Sequence, residues 1–281
     1  MNVSATAVKT LRDRTNMPMM DCKAALIEAG GDMEKAVENL RKKNKDAVDK
    51  KASRETAEGR IAVFIDPAQQ VGAILEMRCE SAPVVKSEQF IALANDFAKQ
   101  AALKNPESLE ALLAQPFVDD PSKKMADRLA EVIGLIRENM KPARLARLTG
   151  LLGSYVHHDG SVGVLVQVVG AKADPQLLRD VCMHVAARNP AFGRREDVPP
   201  ATIDKEKEIA KSQIEADPKN KNKPAQILDK IAEGKLKTWF AENVLVEQPF
   251  VKDDSKTVGD LLKAAGLQLG TFLRYKVGEL S

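Results

Sequence analysis

The segment Gln115-Pro116-Phe117-Val118 recurs as Gln248-Pro249-Phe250-Val251, and each copy runs on through acidic residues to Ser-Lys. A repeat this specific marks a diverged internal duplication, so whatever folds one half of the chain must fold the other. In the first copy GRIAVFID and VGAILEMRCE are rich in β-branched residues and predict a hairpin. FIALANDFAKQAALKNP predicts a helix, QPFVDDPSKK a turn, Leu129 to Ile136 a second helix, and ARLARL a short strand. The second copy keeps this order with GLLGSYVHHDG and SVGVLVQVVG, LLRDVCMHVAARNP, QPFVKDDSKT, Leu261-Leu262 and TFLRYKVGE. Strand, strand, helix, helix, strand describes a three-stranded antiparallel sheet covered on one face by helices, and two such units make an α+β protein.

The copies differ in spacing. Asn105-Pro106 precedes Gln115-Pro116 by about ten residues, but Asn189-Pro190 precedes Gln248-Pro249 by about sixty, so the second copy holds an insertion. Ile203 to Ala216 is polar and helix-forming, DPKNKNKP breaks it at 217–224, and Ile227, Leu228, Ile231, Leu236 and Phe240 supply a returning helix. Arms of about 16 residues at about 1.5 Å per residue would project far enough to touch a neighbour.

Residues 1–50 predict three short helices. Ala7, Val8 and Leu11 form one stripe; Pro18 opens a second helix whose stripe begins with Met20, Ala24 and Leu26. Gly30-Gly31 ends it, and Asp32 caps a third carrying Met33, Ala36, Val37 and Leu40. The polar run KKNKDAVDKK then dissolves the pattern and is expected to be a linker, leaving a small head on a tether. The expected divisions are 1–50, 55–148 and 149–281, with the helical hairpin at about 199–240.

Hydrophobic residues at 44% and charged residues at 30% predict a globular chain. No apolar run approaches the roughly 18 residues that span a bilayer, and the N-terminus lacks an apolar core with a cleavage signal, so no membrane partner and a cytoplasmic location are expected. Cys22, Cys79 and Cys182 stand far apart, which predicts reduced buried thiols. A net charge of +3 is small for this length and does not call for nucleic acid. Lys42 to Lys51 and the KNKNK turn at 219–223 offer an RNA-binding alternative, which steep salt dependence would reveal. There is no Walker-type phosphate loop, dinucleotide fingerprint or nucleophile elbow, so no enzyme and no cofactor are expected. His157-His158-Asp159 carries metal-ligand chemistry, but adjacent residues of a strand face opposite ways and His158-Asp159-Gly160 is expected at the hairpin turn, so one histidine alone is expected to be available and no metal site is assigned. His184 is expected to be a hydrogen-bonded structural histidine.

The segment VKTLRDRTNMPMMDCKAALIEAGGDMEKAVENLRKK resembles the N-terminal module of bacterial and organellar translation elongation factor Ts. MHVAARNPAFGRREDVPPATIDKEKEIAKSQ, LDKIAEGKLKTWFAENVLVEQPFVKDDSKTV and LRYKVGE resemble that family's second core unit and hairpin. The resemblance implies a ubiquitin-associated-like three-helix head and an inserted antiparallel coiled coil. It also implies a non-enzymatic function, guanine-nucleotide exchange on the GTPase elongation factor Tu with dislocation of its magnesium. A homodimer or a two-to-two complex with that partner is left open. The family's Thr-Asp-Phe-Val loop corresponds to Ser81, Ala82, Pro83 and Val84, so the motif's Asp and Phe are absent, and a binding-only or slow-exchange homologue is the alternative. Asp21, Cys22 and Lys23 match the head's partner-binding signature, and Tyr155 and His157 match a Tyr-x-His of the second hairpin.

Overall fold

The computed structural model describes residues 3–220 and 223–279, as two compact units. Unit 1 comprises Met1–Leu148, Val156–Gly163 and Tyr275–Ser281, and unit 2 comprises Thr149–Tyr155 and Val164–Arg274. Lys221 and Asn222 of the KNKNK turn lie outside the described residues.

Unit 1 begins with α1 (Ala5–Thr15), α2 (Met19–Glu28) and α3 (Met33–Lys51). Ser4 and Asp32 cap α1 and α3 through their side chains, accepting from the N–H groups of Ala7 and Lys35. These caps satisfy donors that a helix N-terminus leaves open. Gly30 and Gly31, at φ of 65° and 88°, turn the chain between α2 and α3. Leu11, Cys22, Leu26, Ala36 and Leu40 close a small core among the three helices. The stripe expected on α2 is corrected in one respect: Met20 is 72% exposed, and Cys22, Ala25 and Leu26 are the residues that turn inward.

The expected tether is not there. KKNKDAVDKK continues α3 to Lys51. Its Asn44 is buried and Val48 packs onto the larger core of unit 1. Asn44, Ala47 and Val48 recur at helical spacing, which a mostly polar composition hid. The helix they face is α7 (Met125–Ile136), where a Cβ on Gly134 would lie 2.3 Å from Oδ1 of Asn44. The absent side chain is what admits the asparagine. Lys45 and Asp127 pair beside this contact at 3.2 Å.

The first sheet starts with the hairpin β1 (Glu58–Asp66) and β2 (Val71–Cys79), paired antiparallel from Glu58 opposite Cys79 to Asp66 opposite Val71. There follow α4 (Ala82–Val85), α5 (Glu88–Lys104), α6 (Leu109–Ala114), the small hairpin β3 (Pro116–Phe117) and β4 (Asp120–Lys124), α7 (Met125–Ile136) and β5 (Met140–Thr149). The sheet order is β1-β2-β5. Leu75, Met77, Phe90, Leu93, Phe97, Leu112, Met125 and Ile133 are fully buried in its core.

The second copy has β6 (Leu151–Val156), β7 (Val162–Val169), α8 (Pro175–Arg188), α9 (Pro200–Ala216), α10 (Ala225–Asn243), β8 (Pro249–Phe250), β9 (Asp253–Thr257), α11 (Val258–Ala264) and β10 (Gln268–Lys276). Its sheet order is β10-β7-β6, so the second strand of the hairpin is central in both copies. Helices α9 and α10 are the insertion; at about 1.5 Å per residue their lengths are about 25 and 28 Å. Lys235 donates to Gln213 between them at 2.8 Å.

The duplicated motif has the same wiring twice. The carbonyl of Gln115 accepts from Met125 N–H, and that of Gln248 from Val258 N–H, so each glutamine receives the first amide of the next helix. Gln100 on α5 donates to Gln115 Oε1 at 3.0 Å and accepts from Val118 N–H at 2.9 Å. In the second copy His184 does both jobs, with Nε2 on Gln248 Oε1 at 2.8 Å and Nδ1 accepting from Val251 N–H at 3.2 Å. One ring nitrogen must donate and the other accept, which only the neutral imidazole does. Burial pushes its pKa below the usual histidine range in the same direction. His184 is therefore the structural histidine that was expected, standing where the first copy has an amide.

Docking of α3 on α7 is testable. Val48→Asp is expected to destabilise the protein by about 1–2 kcal/mol in denaturant titrations, because a half-buried apolar group is exchanged for a charge. Asp49→Ala, one residue on and exposed, is expected to change it by less than about 0.5 kcal/mol.

Candidate functional site

The residues singled out in sequence gather in two parts of unit 1, with Tyr155 in unit 2. The first part is the turn after β2. Ser81 caps α4, a four-residue helical turn with proline at its start, which suits a fixed φ. Val84 and Val85 are buried in the unit's core, and Ala82 and Pro83 are left exposed. The loop thus has an apolar root and an outward tip. Its base is held by polar groups that the sequence did not reveal. Both carboxylate oxygens of Glu138 receive Ser81, from the N–H at 3.1 Å and from the hydroxyl at 2.6 Å. Glu80 accepts in turn from Asn139 N–H.

Beside this loop lies the turn after β6. The strand ends at Val156, and His157 to Gly160 close a turn through Gly160 N–H on His157 O at 2.8 Å. Gly160 has φ of 78°, and a Cβ there would lie 2.9 Å from the guanidinium carbon of Arg60. The positive φ is what calls for glycine, since the guanidinium ends a flexible side chain that can move aside. The Gly160 carbonyl then accepts from Ile61 N–H at 2.8 Å, seating the turn on β1. Arg60 links the two turns, since its guanidinium also donates to Val85 O at 3.2 Å.

Because the histidines are in a turn, the alternation expected for a strand does not apply. The imidazoles of His157 and His158 and the carboxylate of Asp159 lie with ligand atoms within 4.8 Å of one another, the one such group among the described residues. Ser161 occupies Oδ1 of Asp159 through its N–H at 2.8 Å and its hydroxyl at 2.7 Å, holding that carboxyl below its usual pKa. Tyr155 packs at the edge of the second core with Arg179 over its ring.

On the head, Lys23 is exposed and Met19, Met20 and Ile27 are exposed on the same helix. Four such residues on two turns make an apolar face with one charge, and the methionines were the signal for it. Cys22 is not part of that face: it is fully buried, with its thiol 3.5 Å from Met17 O. Asp21 is turned toward Lys43 at 3.0 Å and Arg137 at 3.3 Å.

Two antiparallel-sheet units of one plan, a docked three-helix head and an inserted helical pair define a duplicated α+β protein whose candidate site is a surface of loops and turns. A family profile described as Elongation factor TS matches residues 80–279. Curated relatives named Elongation factor Ts include those of Clostridium botulinum, 40% identical, and Alkalilimnicola ehrlichii, 41% identical, each covering 99% of this chain and 93% of the relative. That of Clostridium kluyveri is 38% identical with the same coverage. The chain belongs to the elongation factor Ts family of translation elongation factors. No helix among the described residues is long and apolar enough to cross a membrane.

The three thiols yield a check on the placement of these elements. Cys79, at the root of the loop, and Cys182 are pushed up to about 12 by burial, and Cys22 is raised for the same reason. A buried protonated thiol is a poor nucleophile. Iodoacetamide at pH 8 is expected to leave all three unmodified in the folded protein by intact mass, and to add three groups after denaturation.

Proposed function

We propose that this protein binds the GTPase elongation factor Tu in its GDP-bound form and promotes release of GDP, so that GTP replaces it during translation elongation. The observation that carries the reading is the 81–84 loop, whose exposed tip stands on a base fixed by Glu138 and by buried valines, in a chain of the elongation factor Ts family. No bond need be made or broken. A protein that binds the nucleotide-free partner more tightly than the GDP-bound one must lower GDP affinity by the same factor. Magnesium clamps nucleotide phosphates through oxygen contacts, so a loop pressed beside that shell would loosen the ion and the nucleotide together.

The head supports the same reading. Met19, Met20, Lys23 and Ile27 offer an adaptable apolar face of the kind that recognises a protein partner. We read the head as a three-helix module of the ubiquitin-associated kind and the α9–α10 pair as a coiled-coil arm reaching the same partner. The compartment of that partner, the cytoplasm, is then the compartment of this chain.

A second reading has one observation in its favour. The tip consists of Ala82 and Pro83, which supply neither a carboxylate nor an aromatic wedge. A homologue that holds elongation factor Tu with slow exchange would have this composition. Stopped-flow release of labelled GDP separates the two: exchange requires acceleration on adding the protein, whereas holding gives a complex with no acceleration. Calorimetry is expected to show tighter binding to the nucleotide-free partner, and equal affinity for both forms would exclude exchange.

The double substitution Ala82→Asp with Pro83→Phe addresses the tip directly. Both positions are exposed, so the fold is expected to survive. Burying a phenylalanine in a partner pocket contributes about 1.5–3 kcal/mol. Directed at the nucleotide-free state, that accelerates GDP release by about ten- to a hundredfold. An unchanged rate would place the loop outside the exchange step.

A further inference from the structure

We propose that Glu138 is the positioning residue of the 81–84 loop, and that the turn Arg137-Glu138-Asn139 is built to hold it still. The proposal rests on the reading of that loop as the part that acts on the partner's nucleotide site. Arg137 ends α7 in the left-handed region, at φ of 67°, with its N–H on Ile133 O at 2.8 Å. The helix therefore stops abruptly, and the next two residues face the turn after β2. Glu138 takes Ser81 with both carboxylate oxygens, and Asn139 N–H donates to Glu80. Each turn gives a carboxylate to a backbone N–H of the other. Such a reciprocal, charge-assisted clasp fixes an angle as well as a distance.

The clasp is itself held. Asn139 is 3% exposed, and its side-chain amide donates to Arg54 O at 2.8 Å and Ala52 O at 3.5 Å, while Arg54 reaches Glu80 at 3.5 Å. Below it Val84 and Val85 are anchored in the core, and Arg60 holds the Val85 carbonyl. What remains exposed is the pair Ala82-Pro83, with the Pro83 carbonyl taken by Lys86 N–H at 3.3 Å. A loop that must displace groups in a partner has to resist the reaction force, because a soft loop bends instead of transferring strain. Rigidity at the base thus matters most at the displacing step and least for forming the complex, to which the proposed reading also assigns the head and the α9–α10 pair.

The test uses the full chain and elongation factor Tu carrying labelled GDP. If the wild-type protein does not accelerate release, the exchange reading falls and this proposal with it. Where it does, Glu138→Ala is expected to lower the maximal release rate about tenfold, since misplacement of an acting group is costly, and to leave the half-saturating concentration within about twofold. Ser81→Ala, which removes one of the two bonds, is expected to lower it about threefold, and the double variant to be no slower than Glu138→Ala, because coupled residues are not additive. Glu138→Gln keeps an acceptor for Ser81 and is expected to recover part of the rate. A wild-type maximal rate in Glu138→Ala overturns the proposal, as does a loss that only follows the folded fraction seen by circular dichroism, or effects of the two single variants that multiply. Should Glu138→Ala fail to fold, Ser81→Ala decides alone, and an unchanged rate overturns the proposal.

Discussion

Glu76 is a carboxylate 2% exposed on the central strand of the first sheet, and a charge so placed must be answered from every side. It receives Arg144 Nε from β5 at 2.7 Å, Arg78 Nη1 from its own strand at 2.9 Å and the N–H of Gly278 at 3.0 Å. The arginines carry the constraint outward. Arg78 also donates to the carbonyls of Thr56 and Ala57, where the chain enters the sheet after α3, and Arg144 to the carbonyl of Lys276 while its guanidinium lies 4.1 Å from the Tyr275 ring centre. One buried anion therefore fixes the entry to β1, the strand β5 and the C-terminal residues of unit 1. Loss of one partner of such a group costs about 3–5 kcal/mol, because the charge left behind stays buried.

The same economy shows in the duplicated motif, where the wiring is kept and the chemistry of one part is changed. An amide and a neutral imidazole both present a donor and an acceptor, and Gln100 and His184 use them on equivalent atoms. The imidazole adds a ring, which stacks on Phe250 at 5.8 Å, and a proton affinity that the amide lacks. Its depressed pKa means that the unfolded chain takes up a proton first as the pH falls below about 6.5. The contribution of this group to stability is thus fully present above that pH and declines as the medium becomes more acid. The first copy, with glutamine at the same place, has no such term.

What could be read from the sequence follows from this division between apolar pattern and polar contact. The long strands and helices of both copies declared themselves, because apolar periodicity and turn residues are local and the repeat gave each reading a second instance, whereas the short α4 and α6 and the small hairpins β3–β4 and β8–β9, expected as turns, did not. The docked half of α3 was missed although Asn44, Ala47 and Val48 carry a helical period, since two of the three are small or polar and lysines surround them. Met20 was drawn inward on hydrophobicity alone, but it lies on the side of α2 away from the buried Cys22, Ala25 and Leu26. The clasp on Ser81 had no signature at all. Glu138 lies more than fifty residues away in the chain, and nothing in Arg-Glu-Asn tells which backbone groups its carboxylate will meet.

The altered loop gains a different meaning once its root and tip are separated. Ser81, Val84 and Val85 are the residues whose side chains are tied to the protein, through Glu138 and through the core, and they keep the loop's shape. Ala82 and Pro83 face outward, so beyond the helix start that Pro83 favours their side chains answer little to the packing of the core. The departure from the Asp and Phe of the resembling motif therefore falls on the two exposed positions, where a change alters the solvent-facing tip while leaving what holds the loop intact. With a proline that narrows the backbone freedom of the exposed end, the loop combines a root fixed by the core and by Glu138 with a stiff tip turned to solvent.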